Sequence, residues 1–128
     1  MFRRTLLMLP CLLLVGCGAK LNFQNVCTLT PQTPENLNHF EAQSGEQTLT
    51  VKIGSTEPVD VGFYLKSTSE EPRDLTPADR VSKALLHKKA VKEETFTVKI
   101  PAKAAYSLML TLPADGKKPA DVTTSIRN

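Results

Sequence analysis

The 128-residue sequence has no tryptophan, two histidines and three cysteines. Each scarcity excludes something. With no tryptophan and aromatics at only 5% of the chain, a sugar-binding face of stacked aromatic platforms is poorly supplied. His39 and His87 do not form a zinc motif of closely spaced ligands, and neither has a spacing to Cys27 that suggests a nucleophilic triad; both read as surface histidines. There is no glycine-rich phosphate loop and no G-x-S-x-G elbow. Glu70-Glu71 and Glu93-Glu94 are adjacent pairs, and neighbours on a strand point to opposite faces, so neither suits a shared acid–base site. Nor is one sign of charge in large excess: 16 basic residues stand against 13 acidic ones. That balance gives a nucleic-acid partner no support. No long apolar run is present. The longest covers residues 6–15, is broken by Pro10, and falls short of the roughly 20 residues a membrane-spanning helix needs.

That short run is informative by its position. Arg3 and Arg4 precede it, and Leu14-Val15-Gly16-Cys17 follows it. A charged start, a short apolar stretch and small residues before a cut make a signal peptide. The last four residues resemble the lipobox of bacterial lipoproteins. The resemblance implies cleavage between Gly16 and Cys17 and transfer of a diacylglycerol to the Cys17 thiol. Palmitate would then label the protein. Two or more acyl chains hold a protein stably on a membrane, where one holds it only reversibly. Gly18 stands where an aspartate tends to retain enterobacterial lipoproteins in the inner membrane. A Gram-negative host would therefore place this chain on the outer membrane, facing the periplasm.

Loss of residues 1–16 removes Arg3, Arg4 and Cys11, leaving 14 basic residues against the same 13 acidic ones. Cys17 carries lipid, so Cys27 is the last thiol and no internal disulfide can form. Cys27 either packs between Val26 and Leu29 or bridges to a partner. Residues 17–36, rich in Asn, Gln, Thr and Pro, read as the lipidated N-terminus and a flexible tether that holds the domain off the membrane. Leu21, Phe23, Val26 and Leu29 leave room there for a short ordered piece.

Residues 37–128 read as one domain. Period-two alternation marks half-buried strands. Phe40 and Ala42 alternate with His39 and Glu41. Leu49, Val51 and Ile53 face one way in the next run, and Val59, Val61, Phe63 and Leu65 in the one after. The 54–58 segment between these two runs reads as a hairpin turn. Residues 67–75 are polar and read as a loop. Thr76 as cap, Pro77 in the first turn and Asp79 near the positive dipole end predict a short helix over about 77–89, closed by Lys88 and Lys89. Phe96, Val98 and Ile100, then Tyr106, Leu108, Leu110 and Leu112, then Ala120, Val122, Thr124 and Ile126 supply three more runs. The expected fold is mainly β: an antiparallel, jelly-roll-like β-sandwich of about six strands with one short helix.

The segment from Phe40 to Val51 (FEAQSGEQTLTV), then Pro58-Val59-Asp60-Val61, and later Phe96-Thr97-Val98-Lys99-Ile100-Pro101-Ala102 leading to Tyr106, resemble the pre-peptidase C-terminal domain family of small jelly-roll sandwiches. Lys103-Ala104-Ala105 departs from the glycine usual there, and the helix replaces a shorter connection. The resemblance implies a non-catalytic binding or stabilising module and no substrate. Some relatives bind calcium through clustered aspartates, but Asp60, Asp74, Asp79, Asp115 and Asp121 are scattered here. No metal or other cofactor is expected.

The functional expectation is a non-enzymatic, lipid-anchored envelope protein that binds an envelope protein or a cell-wall polymer. An adaptor or inhibitor with one dedicated protein partner is the alternative; a glycan-binding module or an enzyme ranks behind both. The candidate partner contacts are Tyr64, as an outward aromatic, and Lys88 and Lys89. The late lysines form either a solvated face or a contact for anionic headgroups or cell-wall polymer.

Overall fold

The computed structural model describes residues 20–66 and 71–128. The expected signal peptide, with Gly16 and Cys17, lies outside the described residues. The chain forms β1 (Asn22–Leu29), β2 (Glu35–Phe40), β3 (Gln47–Leu65), a 3-10 turn (Pro72–Asp74), α1 (Pro77–Ser82), β4 (Leu86–Ile100), β5 (Tyr106–Thr111) and β6 (Ala120–Arg127). All ladders are antiparallel. The expected mainly-β fold of six strands and one short helix is present, built from a single, nearly closed sheet.

The spine is β3, at nineteen residues. One of its edges pairs with β4 from Gln47 to Phe63. Its other edge changes partner midway: Thr50–Ser55 pairs with β6, and Asp60–Leu65 with β5. Half-sheet one is therefore β1-β6-β3-β4, and half-sheet two is β2-β5-β3-β4. Their inner faces share one core. Leu49, Val51, Ile53, Val59, Val61 and Phe63 of β3 are each fully buried, as are Leu108 and Leu110 of β5 and Val122 and Ile126 of β6. The outer strands β1 and β2 meet edge to face through Phe23 and Phe40, with ring centres 4.9 Å apart. Phe40 in turn stacks on Tyr106 at 4.9 Å.

The 54–58 segment is a corner rather than a hairpin turn. Between Gly54 and Val59 the register with β4 slips, and it slips again between Val59 and Val61. Pro58 has no N–H for a ladder, and bulges are where strand prolines sit. Ser55 Oγ donates to the Glu57 carbonyl at 2.6 Å, and the Asp121 N–H donates to Thr56 Oγ1 at 2.9 Å. These bonds hold the bulge against β6. The second slip places Ala90 at φ 56°, a left-handed conformation. The Ala90 N–H, out of the ladder, donates to the Asp60 carboxylate at 3.1 Å.

Two further expectations need correction. Residues 22–29 are not tether: β1 pairs along its whole length with β6. Leu29 is buried in the core, and Phe23 and Cys27 pack against it half-buried. Cys27 packs there as a free thiol, while Val26 points outward at 75% exposure. The helix is also shorter than residues 77–89. It stops at Ser82, because the Leu85 N–H bonds to the Phe63 carbonyl and draws the chain back to the sheet. Lys88 and Lys89 then belong to β4.

Tyr106 is 1% exposed, and its burial pushes the phenol up to about 12 from an ordinary 10.0. Below pH 10 the folded and unfolded chains both keep this proton, and the stabilisation is intact. Between pH 10 and about 12 the unfolded chain ionises first, so folding loses free energy as pH rises. The urea midpoint is expected to hold steady from pH 7 to 9 and then fall towards pH 12, and Tyr106→Phe to flatten that fall. An equally steep fall in Tyr106→Phe would assign it to other groups.

Candidate functional site

The outer face of half-sheet two is only partly open to solvent. Strand register fixes its grid: Tyr64, Ser107 and His39 lie in one row, Gly62, Met109 and Leu37 in the next, and Asp60, Thr111 and Glu35 in the third. β4 adds His87 opposite Gly62. The 3-10 turn and α1 cover part of this grid. Tyr64, Leu75 and Met109 make a small second core, with Leu37 and Ala84 at its margin.

Tyr64 is therefore no outward platform; it is 3% exposed. Its hydroxyl donates to the Arg80 carbonyl at 2.7 Å. Burial raises its pKa, opposed by the charge of Arg80. The ring lies along the strand over Gly62, where an added Cβ would stand 2.6 Å from ring atoms. Only glycine leaves that space.

Arg80 ties the cover down. Its guanidinium donates to Glu35 Oε2 at 2.7 Å, to the Arg73 carbonyl at 2.8 Å and, through Nε, to the Leu75 carbonyl at 3.1 Å. The helix is also capped as expected, since Thr76 Oγ1 accepts from the Asp79 N–H at 3.1 Å.

Beside this cover lies a cleft of about 420 Å³. Its floor is Gly62, Met109 and Thr111. Pro77, Arg80 and Val81 of α1 form one wall, and Pro113, Ala114 and Gly116 another. Asp60, His87 and Lys89 bring ionisable groups to it from the adjacent strands β3 and β4. A shallower groove continues from Asp60 and Lys89 past Pro58 to Lys117 and Lys118. Partial burial pushes the His87 pKa down from its ordinary value; Asp60 pulls it up, and Lys89 pushes it further down. The imidazole is thus held neutral at neutral pH, able to donate at one nitrogen and accept at the other. Asp60 is engaged by the Ala90 N–H, and among the described residues no serine or cysteine lines the cleft. The arrangement can hydrogen-bond, ion-pair and pack against prolines. Among the described residues no group of three His, Cys, Asp or Glu side chains converges on a metal position.

Of the sequence-based contact candidates, only Lys89 lines the cleft as an exposed side chain. Lys88 turns the other way. Its ammonium pairs with Glu94 at 2.6 Å and sits 5.1 Å from the centre of the Phe96 ring. An inward charge on an edge strand blunts pairing with other chains, so Lys88 is structural. His39 stays exposed and bonds Ser107 Oγ at 2.7 Å, whereas His87 is half-buried in the cleft. Asp60, Gly62, Arg80 and Met109 were not foreseen as site residues. The alternation Asp60-Gly62-Tyr64 held the signal, being the opposite face of a recognised strand.

No family model matches the chain, and no curated protein matches it.

Two outcomes check this geometry. Gly62→Ala is expected to cost about 1–3 kcal/mol by overpacking, and much of that cost to vanish in a Tyr64→Leu background. A double-mutant cycle from urea denaturation reads the coupling; additive losses would refute the Tyr64–Gly62 contact. Arg80→Ala loses charge-assisted hydrogen bonds worth roughly 1.5–3 kcal/mol each. Hydrogen exchange should then speed up across residues 72–85 and stay slow in β3. Uniform loosening would mean that Arg80 does not hold the cover specifically.

Proposed function

We propose that this is a lipid-anchored cell-envelope protein, processed before Cys17, whose β-sandwich is a non-catalytic binding module. Its ligand is another envelope protein or a cell-wall polymer. Gly18, in place of a retaining aspartate, favours the outer membrane, facing the periplasm, in a Gram-negative envelope. The observation that carries the binding reading is the cleft. Prolines of the helix and loops wall it, and Asp60, His87 and Lys89 bring ionisable side chains from adjacent strands, a combination typical of binding sites with few polar anchors. The pre-peptidase-like strand pattern supports the same reading.

Two experiments test it. Palmitate labelling of the full chain should be abolished by Cys17→Ser; unchanged labelling removes the anchor assignment. A photo-crosslinking residue at Val81, on the cleft rim, should give a discrete adduct in intact cells, weakened by Lys89→Glu. The same residue at Val26, exposed on half-sheet one, is the control. A single protein adduct identifies a dedicated partner, and a polymer ladder identifies wall material. Equal or absent adducts at both positions would refute a cleft-directed binding module.

A further inference from the structure

We propose that one end of the sandwich, the end carrying Leu21 and the 41–46 and 101–105 loops, rests on the anionic headgroups of the membrane that holds Cys17. The cleft, on the outer face of half-sheet two, then lies towards the end distant from the bilayer. The inference rests on the lipidation reading above.

The length of the link comes first. The Leu21 N–H donates to Asn128 Oδ1 at 2.8 Å, and Asn22 pairs with Arg127, so the sheet begins there. Only four peptide steps separate Cys17 from Leu21. Even fully extended they reach no more than about 14 Å. The domain is thus held close to the bilayer by the start of β1.

The direction of β1 comes second. Its eight residues rise roughly 26 Å. Beyond its far end, Pro31 and Pro34 line the cleft. Leu29 pairs there with Ala120, and Lys117 and Lys118 lie just before Ala120 on the cleft's extension. Anchor and cleft therefore occupy opposite ends of the sheet. A leash this short, fixed at the near end, rules out an inverted domain.

Charge selects the upright pose over lying on a side. Around the anchored end, Lys20 precedes Leu21, Arg127 pairs with Asn22, Lys99 pairs with Thr48, and Lys66 and Lys103 bond to the 101–105 and 41–46 loops, against Glu41 and Glu46 of the latter loop. Lys103 turns at φ 61°, and its N–H bonds to the Gln43 carbonyl at 2.7 Å; the Lys66 N–H bonds to the Ala105 carbonyl at 2.9 Å. These bonds join the 41–46 loop to the 101–105 loop, and the 101–105 loop to the end of β3, as one platform. Basic groups at this distance are attracted to anionic headgroups. The cleft end mixes signs, with Glu57, Asp60 and Asp115 beside Lys89, Lys117 and Lys118.

The absence of tryptophan makes the test simple. Ala102→Trp on the platform and Ala114→Trp on the cleft wall each create a single reporter in the full lipidated chain. The probe is a vesicle of phosphatidylglycerol and phosphatidylethanolamine containing headgroup-spin-labelled lipid. A102W emission should be quenched several-fold more than A114W emission, and Lys66→Glu with Lys103→Glu should shrink the difference. Equal quenching, stronger quenching of A114W, or no response to the two charge reversals would overturn the proposal. Failure of the chain to float with vesicles would instead overturn the lipid anchor itself, a result the flotation step reads separately.

Discussion

The fold depends on β3 being able to keep one partner while exchanging another. β4 follows it along almost its entire length, while β6 gives way to β5 across the 54–58 corner. Bending the sheet where the partner changes sets its two halves face to face. The corner supplies the turn. Extra β3 residues push out there, Pro58 withdraws from the ladder, and Ala90 makes the opposite bulge in β4. Asp60 then stabilises that bulge through its carboxylate. With the sheet folded at this point, the two inner faces meet and Val51 and Val61, on one continuous strand, enter the same core.

The same corner decides where a binding site can exist. Half-sheet one keeps a polar outer face, with Gln24, Thr50, Lys52, Thr95 and Ser125. Half-sheet two instead carries Tyr64 and Met109 on its outer side and must cover them. The cover is small, one 3-10 turn and one six-residue helix, too short to be stable alone. It persists because Arg80 reaches Glu35 and two backbone carbonyls. A cover of this size leaves the rest of the face uncovered, and that remainder is the floor of the cleft. Asp60 thus stabilises the corner and lines the cleft.

Much of this was legible in the residue pattern, and the failures have specific causes. The alternation of Leu49, Val51 and Ile53, and again of Val59, Val61 and Phe63, gave the inward face of β3 correctly. Gly54 and Pro58 between them are equally good signs of a turn and of a bulge, and local chemistry cannot separate the two. The 22–29 segment alternates as well, but its inward set of Phe23, Asn25, Cys27 and Leu29 includes a polar residue amid a polar composition. Its burial comes from β6, about a hundred residues away in sequence. A strand split in two and a strand overlooked therefore offset each other in the expected count of six. The helix was overextended because Val81, Ala84 and Leu85 fall at helical spacing, while inward Lys88 and the Ala90 bulge disguise the alternation of β4. Tyr64 was placed on the correct face. What single-strand periodicity cannot show is that a segment more than ten residues later returns to bury that face.

For a chain lipidated at Cys17 as proposed, the overlooked strand links structure to placement on the membrane. As a flexible coil, the 17–36 segment would have let the domain wander roughly 25 Å from its anchor and take any orientation. As a strand, eight of those residues lie inside the sheet, where Phe23 closes the seam against Phe40 and Leu29 fills the core. The residues that complete the hydrophobic core are thus the same residues that shorten the link to Cys17. Burial and orientation cannot be varied independently here: freeing β1 to lengthen the leash would expose the β6 edge and open the Phe23–Phe40 seam. Stability of the closed sheet therefore selects a short link to Cys17, and under the proposed lipidation a short link at one end leaves the other end, with Asp60, His87 and Lys89, as the part distant from the membrane.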